Sequence, residues 1–510
     1  MQQYQSFEKE QKTKKTPLFI TCLLLAGLTA CSFEFDIILP GTSKPTTSFD
    51  VTYSEDNYYT ANSLKYTLRD VNSQLGWVTS QTVGDQKLMI VPIKLKNAPS
   101  WTDAMLSNLN KAFFGTSEET NYESVKSFYE KSSYGKLKIS GEVIDPVDIS
   151  FTVSELDRYS TYAPDLVIAG FYAASNASKL KEYDLDGDGF VDNAIFIYSN
   201  DYSKSNTSAY WAWCYSYDNT PNYNKPTINN YMWASYAFTG EKYLDLYRTT
   251  YVDAHTYIHE TGHLLGLDDY YSYDTIDNWD PAGRLEMQSY NIGDHNIFSK
   301  MAMGWVNPYV PTGSTVINLK TSSKYPEAIL LNTNWNGSAF DEYILIEYYT
   351  PTGLNEIDSK HNFSGNGKMY DDSGLRIYHV DARLAKLKAS NNGMTSFVSY
   401  VDDLPSRFDG YYYYVGASNS ACYSYLSDYE ASRYRLLHLL DQGEFNKIND
   451  GKGGALVSGY TLWDGSKTFS PSSSFFINGD KFNDGSDIGF HVSVSDLTDE
   501  SCQVTIAYTK

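Results

Sequence analysis

The chain has 510 residues, of which 42% are hydrophobic, and its formal net charge at pH 7 is -22. This length is enough to bury two sizeable hydrophobic cores, whereas the negative charge argues against nucleic acid as a partner. Beyond residue 31, the widely spaced Cys214, Cys422 and Cys502 form neither a disulfide framework nor a paired-cysteine metal motif, and their pairing stays open.

The N-terminal segment has the pattern of a secretion signal. Lysines between residues 9 and 15 precede an apolar run from Leu18 to Ala30, which is too short for a permanent membrane helix. The run ends in Leu-Thr-Ala-Cys, which resembles the lipobox of bacterial lipoproteins and implies a lipid on Cys31. An ordinary signal peptide with a chance cysteine is the alternative. We therefore expect residues 1–30 to be cleaved and the protein to be lipid-anchored on the extracellular face of a bacterial membrane. Whether it is shed, and whether the host has one membrane or two, stays open.

Strand and helix patterns alternate through the first half of the chain. Residues 31–85 are rich in Thr and Ser, which predicts a tether or a short prosegment. The elements predicted after it are strand Leu88–Leu95, helix Val125–Tyr134, strand Lys136–Val143, helix Pro164–Leu180 and strand Asn193–Tyr198. Pro92 argues that the first strand is an edge strand or contains a bulge. These elements and the helix after them predict an α/β catalytic domain over residues 86–309.

A tight loop just before the last of these strands is dense in carboxylates. Positions 1, 3, 5 and 9 of the loop are Asp184, Asp186, Asp188 and Asp192. Gly189 at position 6 fits the sharp turn of an EF-hand-type loop, although position 12 is Ile195 instead of the usual glutamate. The alternative is a polar turn, in which the aspartates would repel one another without a cation. The pattern predicts a structural Ca²⁺ site.

The segment from His259 to Asp269 has the pattern of a catalytic metal site. Residues four apart on a helix lie on one face, so His259 and His263 can bind one divalent ion. Glu260 lies beside them, where it can take a proton from a water molecule at the metal. Gly266 can end the helix, after which Asp269 can turn back as a third ligand. The alternative is a surface helix with two histidines in its last turn.

The segment after this helix resembles the Met-turn of metzincin peptidases, with Met287 as an apolar floor beneath the metal. An ordinary core methionine is the alternative. Tyr290 can donate a hydrogen bond to the oxyanion formed during peptide hydrolysis. His295 can do so instead, or can brace Asp269. A helix over Ile297–Trp305 is predicted to close the domain.

The rest of the chain, residues 310–510, has short alternating segments separated by Gly, Asn, Asp and Pro. The predicted strands are Ser314–Leu319, Ile329–Leu331, Tyr343–Tyr348, Leu375–His379, His491–Val494 and Gln503–Tyr508. Leu436–Leu440 fits either a helix or a strand. This spacing predicts a β-sandwich-like region. The predicted fold class is therefore α+β, with a metzincin-like α/β catalytic domain followed by a β-rich C-terminal domain.

The chain from about Leu88 onward is similar to the immune inhibitor A family of secreted zinc metallopeptidases. The similar segments are 132–137, 184–192, 259–271, 293–296, 300–305, 346–347 and 374–381. The resemblance implies that His259, His263 and Asp269 bind Zn²⁺ and that Glu260 is the general base. Asp268 stands where the family usually has proline, so both aspartates stay candidates for the third ligand. The metzincin spacing favours Asp269.

These patterns predict a secreted zinc-dependent endopeptidase. Its substrates would be extracellular proteins or peptides, its contact with the membrane would be the lipid on Cys31, and a monomer is favoured. A catalytically silent surface-binding protein, such as an adhesin on a peptidase fold, is the alternative. A hydrolase of non-peptide amides is a third reading. The natural substrate and any inhibitory role of residues 32–85 stay open.

Overall fold

The computed structural model describes residue 49 and residues 51–74, 80–205, 207–241, 251–273, 280–289, 291–363, 368–390, 393–407, 409–420, 434–448 and 461–509. The protein has an α+β fold with several sheets. Within these ranges, no helix is both long enough and apolar enough to cross a bilayer. The predicted leader and Cys31 lie outside the described residues.

Helices and strands are numbered here in chain order over the described residues. Helices α1 to α9 are Leu68–Ser73, Asp103–Phe114, Val125–Ser132, Val153–Asp157, Ala163–Ala174, Ala177–Lys181, His255–Leu264, Ile297–Ala302 and Glu356–Lys360. Strands β1 to β10 are Tyr58–Thr60, Gly84–Leu95, Leu137–Val143, Val147–Ile149, Phe190–Val191, Ala194–Tyr198, Trp213–Ser216, Thr227–Ile228, Asn230–Ser235 and Tyr309–Pro311. Strands β11 to β20 are Thr315–Lys320, Ile329–Leu331, Glu342–Tyr349, Gly374–Asp381, Leu384–Ser390, Gly393–Val401, Tyr411–Val415, Leu437–Leu439, Phe490–Ser495 and Ser501–Tyr508.

A mainly parallel sheet forms the centre of the first half of the protein. Its strand order is β3-β2-β6-β9-β7, with β4 also paired to β2, and β7 is the antiparallel strand at one edge. Side chains of α2, α3 and α7 pack in one core with β2 and β6, whereas α5 packs in a second core on the other face. The sheet is therefore covered by helices on both faces, as parallel sheets usually are.

Pro92 lies in a central strand, so the prediction of an edge strand or a bulge was wrong. Strand β2 pairs with β6 on one side and with β3 and then β4 on the other. The carbonyl of Ile90 accepts from the N–H of Ile144, so the backbone groups of Ile90 face β3 and β4. Residues two apart in a strand face the same side, so the nitrogen of Pro92 also faces β3 and β4. Pairing with β3 ends at Ile90 and pairing with β4 begins at Ile93. The missing N–H of Pro92 therefore falls at a junction where no ladder bond is needed.

The helix predicted over Pro164–Leu180 is two helices, α5 and α6. The break falls at Ser175, whose backbone is extended, and the side chain of Asn176 then caps α6 by accepting from the N–H of Ser178. Asparagine is a strong N-cap, which offsets the loss of helix continuity. The ambiguous segment Leu436–Leu440 contains a strand, β18.

Two sheets pack face to face in the second half of the protein. One has the order β1-β10-β12-β13-β14-β18 and the other has the order β11-β20-β19, and they share one core. Strand β13 is buried along its whole length. Ile344 and Ile346 point into the core between the two sheets, whereas Tyr343 and Leu345 point into the core that contains α7 and α8. The β-rich region therefore shares a core with the region that carries the histidines.

Residues 51–74, within the stretch predicted as a tether or prosegment, pack against both halves of the protein. Strand β1 pairs antiparallel with β10. Helix α1 then lies beside the end of α7, where the side-chain amide of Asn72 donates to the carbonyl of Gly266 at 3.4 Å. Thr67 begins α1 with a reciprocal cap to Asp70.

Candidate metal centre

Helix α7 brings the two predicted histidine ligands together. His259 Nε2 and His263 Nε2 lie 3.2 Å apart. His259 Nδ1 lies 2.8 Å from the carbonyl oxygen of Met287, and His263 Nδ1 lies 2.7 Å from that of Leu267. A carbonyl only accepts, so each Nδ1 carries the proton and leaves the lone pair on Nε2 for a metal.

The end of α7 is set by Gly266, as predicted. Its φ angle is +101°, in the region that favours glycine. The N–H of Gly266 bonds to the carbonyl of His263, and the N–H of Leu267 bonds to that of Gly262. These two bonds form a Schellman motif, which reverses the chain directly after the second histidine.

This reversal brings Asp269, and not Asp268, to the two imidazoles. Asp269 Oδ1 lies 3.1 Å from His259 Nε2 and 3.4 Å from His263 Nε2. Ligand atoms bound tetrahedrally to one zinc at 2.0–2.1 Å are about 3.3 Å apart. The three atoms therefore have the spacing of one face of a zinc tetrahedron. Oδ1 is also buried without a hydrogen-bond partner, which fits an oxygen directed at a cation.

The pKa values of His263 and Asp269 show that the cluster with His259 favours added positive charge. Burial alone would raise the pKa of Asp269, but the nearby His263 and His259 hold it well below its usual range. Burial alone would lower the pKa of His263, but Asp269 raises it to about 10. A divalent cation would satisfy the same group of atoms by displacing protons.

Glu260 lies on the same helix and is 6% exposed. Its Oε2 atom is buried without a hydrogen-bond partner, and burial raises the pKa of its carboxyl group. A raised pKa moves a carboxylate toward the range in which it works as a base near neutral pH. Cys214 of the edge strand β7 contacts the same residue, with Sγ 3.0 Å from the Glu260 carbonyl oxygen.

The predicted Met-turn lies against α7. Met287 is fully buried, and its carbonyl orients His259. The Gln288 side chain packs so closely on α7 that a Cβ at Gly262 would lie 2.5 Å from its Oε1. The turn therefore fixes the position of the helix as well as the ring of His259.

His295 is buried beside Glu286, in the segment of the predicted Met-turn. Its Nδ1 is 3.4 Å from Glu286 Oε2, and its ring packs on those of Phe128 and Tyr129. Among the described residues His295 makes no hydrogen bond to Asp269, so its reading as a brace for Asp269 was wrong. Its reading as an oxyanion donor stays a prediction. The contact to Asp269 comes instead from the hydroxyl of Tyr273, which no sequence motif indicated. Tyr290 lies outside the described residues.

The aspartate loop brings carboxylates together at a second position. Oxygens of Asp184, Asp186 and Asp188 lie within 4.8 Å of one another, and Asp192 is outside this set. Asp192 closes the loop instead, by accepting from the N–H of Leu185 at 3.0 Å. Gly187 and Gly189 have φ angles of +72° and +89°, so the tight turn depends on them.

The charges of this loop are only partly balanced. Burial, together with the neighbouring aspartates, raises the pKa of Asp188 to about 6 and that of Asp192 to about 7. Arg69 of α1 pairs with Asp186 and lies 3.7 Å from Asp188. This contact was not foreseen, because Arg69 lies in the stretch predicted as a tether.

Comparisons of the chain with protein-family models and with curated proteins yield no match. The resemblance to the immune inhibitor A family therefore stays a prediction. Of the cysteines beyond residue 31, Cys214 and Cys502 are free thiols, and Cys422 lies outside the described residues. The arguments for function that follow are based on the geometry of the two clusters.

Proposed function

We propose that the protein is a zinc-dependent endopeptidase with a metzincin-like catalytic region, which cleaves extracellular proteins or peptides. The observation that carries this proposal is the spacing of His259 Nε2, His263 Nε2 and Asp269 Oδ1, which are 3.1–3.4 Å apart. Three protein ligands leave one position for water or substrate, which is typical of catalytic zinc and not of structural zinc.

The residues around this position have separate roles. His259, His263 and Asp269 would hold the metal, and the Met287 and Leu267 carbonyls fix the two rings. When bound, zinc supplies the acidification of a water molecule and the polarisation of the substrate carbonyl. The Glu260 carboxylate would accept a proton from the attacking water and donate it to the leaving amine. The proposal includes Tyr290 as a donor to the negative charge on the substrate oxygen.

The edge strand β7 supports a polypeptide substrate over a small amide. Just beyond the ends of β7 and β9, the N–H of Tyr217 bonds to the carbonyl of Asn229, so the backbone N–H of Tyr217 points toward β9. By alternation, the backbone groups of Cys214 and Ser216 point away from β9, to the edge where no described strand pairs with β7. An extended peptide can add to such an edge by main-chain hydrogen bonds. The thiol of Cys214 contacts the backbone carbonyl of Glu260, so that edge lies beside the helix that carries the proposed base.

The proposal assigns structural Ca²⁺ to the aspartate loop, with Asp184, Asp186 and Asp188 as carboxylate ligands and Asp192 closing the loop. The buried Asp184 Oδ1 lacks a hydrogen-bond partner, and burial together with the negative charges of Asp186 and Asp184 raises the pKa of Asp188. Hard oxygen ligands of this kind suit Ca²⁺. The ion would pin the loop to strand β6.

The proposal also includes the anchor. Cleavage after residue 30 and a lipid on Cys31 would hold the enzyme on the extracellular face of a bacterial membrane. Mass spectrometry of the mature N-terminus tests this part independently of catalysis. An unmodified N-terminal residue, or cleavage elsewhere, would contradict it.

Metal content and casein cleavage separate an enzyme from a silent binding protein. We expect one zinc per chain, and cleavage that is lost with chelator and in Glu260→Gln, which keeps the shape of the base without its charge. Glu500→Gln is the matched control, because Glu500 is exposed and its carboxylate contacts only Lys324 and Tyr325 among the described residues. Zinc-free protein, or a Glu260→Gln variant as active as the control, would refute the proposal.

A further inference from the structure

The two carboxylate oxygens of Asp269 have different surroundings. Oδ1 faces the Nε2 atoms of His259 and His263 and lacks a hydrogen-bond partner. Oδ2 accepts a hydrogen bond from the hydroxyl of Tyr273. Because a phenol donates a single hydrogen, this contact occupies one oxygen and leaves the other for a cation.

The β-rich region holds Tyr273 in place. The N–H of Tyr273 donates to the carbonyl of Ser420 at 2.9 Å. The buried side-chain amide of Asn419 donates to the carbonyls of Tyr270 and Leu437, at 3.1 and 2.9 Å. Leu437 lies in β18, so residues 270–273 are tied to the sheet of the β-rich region. These hydrogen bonds hold the backbone of Tyr273, from which its hydroxyl reaches Asp269.

We infer that Tyr273 is a positioning residue, which holds Asp269 so that only Oδ1 is presented to the metal. This inference rests on the proposed function. A carboxylate with both oxygens free can bind a metal through both, and a second oxygen would fill the position that a water or substrate needs. A partner of this kind in the second coordination sphere fixes the orientation of the ligand and changes metal affinity.

The test compares Tyr273→Phe with Tyr270→Phe. Tyr270 is the matched control, because it is buried and its hydroxyl bonds to Ser299 Oγ at 2.7 Å, not to Asp269. Zinc affinity is measured by competition with a chromogenic chelator, independently of activity. We expect the zinc dissociation constant to rise about 10- to 100-fold in Tyr273→Phe and to stay within about twofold of wild type in Tyr270→Phe. Equal constants in wild type and Tyr273→Phe, or an equal loss in both variants, would overturn the inference.

A double-mutant comparison distinguishes positioning from general loosening. In an Asp269→Asn background, Tyr273→Phe should cost no further zinc affinity, because its effect is transmitted through the carboxylate. The same loss in both backgrounds would overturn the inference.

X-ray absorption of the zinc-loaded wild type needs no variant, and so covers the case in which Tyr273→Phe does not fold. It should show a single oxygen from Asp269 in the first shell, whereas a carboxylate bound through both oxygens would overturn the inference. Tight zinc binding by the wild type with any of these contrary results would refute the role of Tyr273 alone. Failure of the wild type to bind zinc would refute the proposed function as well.

Discussion

Strand β13 contributes side chains to both hydrophobic cores, which predicts that the β-rich region stabilises the candidate metal centre. Leu345 is fully buried and belongs to the same core as Ile297 and Met301 of α8. Truncating a fully buried leucine to alanine costs about 3–5 kcal/mol, because the surrounding residues only partly fill the cavity. We therefore expect Leu345→Ala to lower the free energy of unfolding by about that amount, although residue 345 lies outside the predicted catalytic domain.

The assay follows two signals during heating of the zinc-loaded protein: circular dichroism and the release of zinc to a chromogenic chelator. Leu345→Ala should lower both midpoints. Val316→Ala, which truncates a side chain that is 37% exposed, should change neither, since surface substitutions are usually within about 0.5 kcal/mol. A Leu345→Ala protein that releases zinc at the wild-type temperature would show that the two halves unfold independently, and the reasoning would fail.

Two further predictions concern buried charge. Burial raises the pKa of Glu286 from 4.5 to about 8, so the folded state holds a proton that the unfolded chain releases above pH 4.5. The stability from this group is therefore complete below pH 4.5 and lost as the pH rises to 8. Glu286→Gln should escape this loss, which is worth at most about 5 kcal/mol. The measurement is the free energy of unfolding in urea as a function of pH, and the same pH dependence in wild type and Glu286→Gln would contradict the prediction. Arg69 contacts Asp186 and Asp188, and would compete with the proposed Ca²⁺ ion for them. Arg69→Gln should therefore tighten calcium binding about fivefold by calorimetry, equivalent to about 1 kcal/mol. Weaker binding would mean that Arg69 organises the loop.

The local features of the candidate metal centre could be predicted because they depend on short spacings. The interval between His259 and His263 requires only helical geometry. The reversal that brings Asp269 back requires only a residue such as Gly266 that tolerates a positive φ. The structure brings the predicted ligand atoms together, and it distinguishes Asp269 from Asp268 by the direction of the turn.

Contacts between distant segments could not be predicted. Tyr273 was missed because its role depends on Ser420 and Asn419, which are remote in sequence. His295 was misread as a brace for Asp269 because nothing local indicates that its ring packs among buried aromatic side chains. Pro92 was misread because the rule that places proline in edge strands or bulges does not cover a junction between two partner strands. In each case the tertiary partner, and not the local sequence, decided the outcome.

The central claim is that one zinc is held by three side chains with the fourth position open. The most direct measurement is anomalous diffraction at the zinc edge from crystals of zinc-loaded protein. We predict one strong peak about 2.0–2.2 Å from His259 Nε2, His263 Nε2 and Asp269 Oδ1, with no fourth protein ligand. A peak elsewhere, no peak, or a fourth side chain on the metal would contradict the account.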